Sequence, residues 1–162
     1  MNCRMPELRD ALESAGLSDV RTVISSGNAV FSHRSVSGKV LEAKCEQAMA
    51  TRMGRTFMTI VRAIDELEQL LARDPFARYP LPPKAKRNVT FLRAAPAAKP
   101  GLPVNLRGAK ILALEGREAF TYYVPREADP AFMVIIEKTF GKEVTTRTWE
   151  TVERIVKAAR LT

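Results

Sequence analysis

Residues 110–124 read KILALEGREAFTYYV, and their reading decides the fold. Lys110–Leu114 and Ala119–Val124 flank Glu115-Gly116-Arg117-Glu118. That pattern predicts a hairpin in which Phe120, Tyr122 and Val124 share a face. An equivalent lies in the first half of the chain, where residues 20–31 read VRTVISSGNAVF. Here Val20–Ile24 and Ala29–Phe31 flank Ser25-Ser26-Gly27-Asn28, and glycine and asparagine tolerate the positive φ of a tight turn.

Working outward, each hairpin is followed by the same elements. After the first, Val40, Leu41, Cys45, Ala48 and Met49 form a helical stripe ending at Gly54; Phe57–Arg62 reads as a strand, and Ile64, Leu67, Leu70 and Leu71 as one face of a helix stopped by Asp74-Pro75. After the second, Asp129-Pro130 reads as a cap and first-turn proline for a helix through Phe132, Val134, Ile135 and Ile136. Glu143–Thr146 is extended, and Trp149, Val152, Val156 and Ala159 lie three or four apart in a last helix. Before the hairpins, the first half has a helix over Pro6–Ala15, and the second has a strand over Asn88–Leu92 with an irregular or weakly helical stretch over 94–108. The halves match except for one strand. The expected fold is α+β: two ferredoxin-like βαββαβ subdomains, the first lacking its first strand. They are expected over residues 1–73 and 88–162, each with a trailing helix, joined by a Pro-rich basic connector over 74–87.

The charge is unevenly placed. The 162 residues carry 26 Lys+Arg against 18 Asp+Glu, a formal net charge of +8. Residues 75–114 hold Arg78, Lys84, Lys86, Arg87, Arg93, Lys99, Arg107 and Lys110 and no carboxylate, so this segment alone accounts for the whole excess. Seven of the ten prolines also fall there, which breaks helices and favours extended backbone. Clustered Lys and Arg raise the local concentration of phosphates, and their binding to nucleic acid releases counterions. The segment itself lacks the interleaved aromatics that base stacking requires, so a solvated connector is the plain alternative.

Composition excludes several classes. With 46% apolar and 27% charged residues the chain has enough apolar surface for a core. The richest apolar run, Phe132–Ile136, is far short of the roughly 20 residues that span a bilayer. Cys3 and Cys45 are too few for a disulfide framework, and the start MNCRMPE has no apolar leader, so a cytoplasmic protein with free thiols and no membrane partner is expected. With one histidine, His33, and two distant cysteines there is no His/Cys metal site, and no cofactor is expected.

Two further stretches are candidate sites. Thr145, Thr146, Arg147 and Thr148 fall where a strand passes into a helix, so hydroxyls and a guanidinium surround the positive end of a helix dipole, a place that binds anions. The alternative is structural: Thr146 or Thr148 caps the helix, Trp149 fills the core and Arg147 pairs with a carboxylate. Ser26, Gly27 and Asn28 could present a hydroxyl, bare backbone and an amide to a ligand, or simply make the turn. No catalytic residue is assigned.

The stretches NCRMPELRDAL (2–12), VRTVISSGNAVF (20–31), Asp74-Pro75-Phe76, Asn88–Leu92 and VTTRTWETV (144–152) resemble successive motifs of the domain-of-unknown-function family 1697 over essentially the full length. The resemblance implies a duplicated ferredoxin-like fold and brings no established activity. Family members open with a strand and glycine-rich loop of the form LRGINVGG before the stretch matching 2–12, so an N-terminally shortened chain is expected. Their TTRNWNT appears as Thr145–Thr151 with Thr148 and Glu150 in place of both asparagines. The function expected is binding of an anionic ligand, either nucleic acid or a phosphorylated metabolite. The alternatives are an enzyme acting on a small molecule and a protein-interaction scaffold.

Overall fold

The structure is a computed structural model that describes residues 3–24, 27–34, 36–125 and 131–161. Among them the fold is α+β, with five helices and two antiparallel sheets. The chain packs as two compact units, Met1–Leu71 with Val152–Thr162, and Ala72–Thr151. Residues 152–162, expected with the second half, thus group with the first, and the basic stretch 74–87, expected as a connector, belongs to the second unit.

In the first unit, α1 (Met5–Ser14) has Pro6 in its first turn and ends at Gly16, whose φ of +87° lets the chain reverse while Leu17 N–H bonds back to Leu12. The strands β1 (Ser18–Val23) and β2 (Asn28–Ser32) pair as a two-stranded antiparallel sheet. Helix α2 (Gly38–Met53) starts where Ser37 Oγ accepts from Val40 N–H and stops at Gly54, which is left-handed. Leu8, Leu12, Leu17, Val20, Cys45 and Met49 are the buried core between α1, α2 and the hairpin. Val40, expected on the buried stripe, is instead exposed; the core-facing row of α2 runs through Glu42, Cys45, Ala48 and Met49.

The strand expected over Phe57–Arg62 does not form. A strand requires a ladder partner, and the sheet of this unit contains only β1 and β2 among the described residues. The segment runs back along α2 instead: Thr56 Oγ1 donates to Glu46 O, and Val61 N–H donates to the buried carboxylate of Glu42 at 3.0 Å. Helix α3 (Ile64–Arg73) follows as expected, with Leu67 and Leu70 buried.

The second unit is built on a five-stranded sheet. Its strands are β3 (Lys86–Leu92), β4 (Val104–Leu106), β5 (Ala109–Glu115), β6 (Glu118–Tyr123) and β7 (Val144–Thr148), in the order β4-β5-β6-β3-β7. The stretch 94–108, expected as irregular or weakly helical, is irregular apart from one short strand. Pro96, Pro100 and Pro103 deny it backbone donors, and only β4, a three-residue edge strand, is regular there. Helix α4 (Ala131–Phe140) buries Ile135 and Ile136 against Ala109 and Ile111 of β5. The cap expected at Asp129-Pro130 and the turn residue Ser26 lie outside the described residues. Helix α5 (Trp149–Ala159) follows β7 directly.

Candidate functional site

The central strand β3 positions everything that follows. It pairs antiparallel with β6 on one side and β7 on the other, and β6 pairs with β5. Directly opposed residues in such ladders project to the same face. One face therefore carries Asn88, Thr90, Thr121, Thr146 and Thr148, together with Ala109 and Ile111, against which α4 packs. The other carries Arg87, Val89, Phe91, Phe120, Tyr122, Lys110, Thr145 and Arg147. Phe76 lies over that second face, edge-on to Phe120 at 5.9 Å and to Trp149 at 5.3 Å between ring centroids.

Thr145, Thr146, Arg147 and Thr148 all lie in β7, and their side chains are engaged within the fold. Thr146 Oγ1 and Thr90 Oγ1 are 2.8 Å apart on the α4 face. Thr148 caps α5, its Oγ1 accepting from Thr151 N–H at 3.2 Å. The Arg147 guanidinium turns back along its own strand, donating to Thr145 Oγ1 at 2.6 Å and Thr146 O at 2.9 Å, and burial holds its pKa below the usual arginine value. Trp149 is buried.

The basic trio divides. Lys84 is exposed in a turn before β3, while Lys86 and Arg87 project to opposite faces of the sheet. Arg87 is half-buried, with its guanidinium carbon 5.7 Å from the Trp149 centroid and 6.0 Å from that of Phe76. The register places Tyr122 directly opposite Arg87, and Lys110 directly opposite Tyr122 on the far side. Arg87, Tyr122 and Lys110 thus form a cation–aromatic–cation row across three adjacent strands, about 10 Å from first to last at ordinary strand spacing. All three are half-buried, and among the described residues neither Arg87 nor Lys110 has a carboxylate partner. The carboxylates of this sheet stand at its other end: Glu115 and Glu118 flank the β5–β6 turn, Glu143 precedes β7, and Glu115 is paired with both Arg73 and Arg78.

Sequence reasoning singled out Arg87 and missed Lys110 and Tyr122 as its neighbours. The basic segment contributes Phe76 beside Arg87, whereas Tyr122, the aromatic between the two cations, comes from β6, a separate strand in the linear sequence. Only the ladder register brings it in.

Of the turn candidates, Gly27 and Asn28 are described. Gly27 has a φ of +85°, and Asn28 is buried with its Nδ2 donating to Val23 O at 3.1 Å across the hairpin. Cys45 is buried in the first core, where burial, with the nearby carboxylates of Glu46 and Glu42 adding to it, pushes its thiol up to about 11. His33 Nε2 lies 3.3 Å from Lys44 Nζ. Among the described residues no three His, Cys, Asp or Glu side chains are grouped to hold a metal, and no helix is long and apolar enough to cross a membrane.

The fold and this basic row define a small two-unit α+β protein whose second sheet carries a cationic row at one end, unopposed by carboxylates among the described residues. The chain belongs to the family described as a protein of unknown function (DUF1697), which matches residues 1–120. It is similar in fold to the conserved bacterial protein SP0830 from Streptococcus pneumoniae, at 18% identity and a TM-score of 0.62, over 98% of this chain and 90% of that one. No curated protein matches it.

Proposed function

We propose that this protein is a binding module for an anionic ligand, received at the end of the second sheet where β3 and β5 begin. The observation that carries this reading is the placement of charge. The one acid-free basic segment supplies β3, β4 and all of β5 but its last residue, and among the described residues its Arg87 and Lys110 have no carboxylate partner while Glu115, Glu118 and Glu143 stand at the opposite end of the sheet. Two cationic side chains rooted on strands about 10 Å apart on one sheet face raise the local concentration of phosphate groups, and Lys84 and Lys86 add to the local field. The test is a salt titration of binding to single-stranded nucleic acid and to polyphosphate. Affinity that falls steeply with salt supports the reading, and no binding at low salt removes it.

We further propose that both units are ferredoxin-like repeats. Supporting this, β3 lies between β6 and β7, as the central first strand of a βαββαβ unit does, with an irregular segment where the first helix would stand. In the same scheme β1, β2 and the extended segment 57–62 correspond to β5, β6 and β7. Segment 57–62 would then be the element whose ladder neighbour is the first strand.

A further inference from the structure

Resting on the reading above, we infer that the ligand carries a stacked aromatic base as well as phosphate: a nucleotide, free or within a single strand, seated on Tyr122 between Arg87 and Lys110. A site for bare phosphate needs cations and backbone donors, and a ring at its centre would displace both. Here the middle position of the row is a half-buried tyrosine whose two cross-strand neighbours are the two cations. Directly opposed side chains stand about 5 Å apart at Cβ, so a base lying on the Tyr122 ring leaves its phosphates within reach of Arg87 on one side and Lys110 on the other. Tyr122 is distinct from its neighbour Tyr123, whose ring is spent on the opposite face against Phe132 at 4.7 Å. Arg87 is held in place by Trp149 and Phe76, an arrangement that leaves its N–H donors available to phosphate.

The test uses the full chain and fluorescence anisotropy with two labelled probes of equal phosphate number, a single-stranded oligothymidylate and its abasic counterpart. The wild type is expected to bind the base-bearing strand at least about fivefold more tightly, the lower end of what one stacked base contributes. Tyr122→Leu is expected to lose that preference while keeping its affinity for the abasic strand; Tyr122→Phe, which retains the ring, is expected to keep it. Competition by thymidine monophosphate would identify a free nucleotide as sufficient, and its failure would identify the strand, either result agreeing with the inference. Equal binding of both probes by the wild type would overturn the inference and leave the anion-binding reading standing. Absence of binding to all four, the two probes, thymidine monophosphate and polyphosphate, at low salt would overturn both.

Discussion

Arg87 and Lys110 share one row but differ in what else they do, and that difference can be measured. The Lys110 side chain has no described partner, whereas Arg87 also packs its guanidinium against Trp149 and Phe76, a contact of about 0.5 to 2 kcal/mol at a partly desolvated site. Lys110→Gln should therefore lower the salt dependence of binding and leave the urea midpoint unchanged, while Arg87→Gln should lower both. Equal loss of stability in the two variants would show that Lys110 is also structural. Cys45 gives a second prediction. Its folded pKa is raised, so the native state holds the thiol proton more tightly than the unfolded chain, and the resulting stability is complete below the unfolded value and lost as pH rises towards about 11. The stability advantage of wild type over Cys45→Ala, followed by urea unfolding, should be constant through neutral pH and shrink above pH ~9. An advantage that grows with pH would contradict the assignment.

At the scale of elements, the parts legible in the sequence are those whose signal is local. The β5–β6 hairpin follows from alternation around Gly116, α1 from Pro6 and Gly16, and α3 from its apolar row stopped at Asp74-Pro75. Whether a stretch of strand composition finds a distant ladder partner is not local, and the outcome differs: β3 and β7 pair, residues 57–62 do not. Residues 57–62 have strand composition but no ladder, and the buried Glu42 carboxylate takes the Val61 N–H in its place. Glu42→Ala should therefore release this segment, seen as loss of hydrogen-exchange protection at Val61 with α1 protection unchanged. Protection that stays at the wild-type level would mean that Glu42 does not anchor it. The candidate site shows the same division. Arg87 was visible as one of a basic cluster, but its row with Tyr122 and Lys110 exists only through the register of β3, β6 and β5. Thr145–Thr148 were legible as a strand-to-helix boundary, and the choice between ligand and cap lay in side-chain directions that spacing does not encode. Thr148→Ala should cost about 1 kcal/mol through loss of the α5 cap and leave anion affinity unchanged. A loss of affinity without loss of stability would return Thr148 to the binding site.

For the molecule as a whole, the distribution of charge is the property most directly tied to function. Outside residues 75–114 basic and acidic residues balance, so the excess positive charge belongs to this one segment, which carries Lys86, Arg87 and Lys110 in strands of one sheet and its other cations in the loops between them. Surface cations distributed at random over both units would give weak binding insensitive to any single substitution. A built site concentrates the dependence on a few residues. The account therefore stands on the salt dependence of anion binding by the wild-type chain beside that of Arg87→Gln/Lys110→Gln. The wild type should lose affinity steeply between about 50 and 200 mM salt, and the double variant should show a log–log slope shallower by about 0.7 for each single-strand phosphate contact removed. Identical slopes in the two proteins would contradict the placement of the site on this sheet.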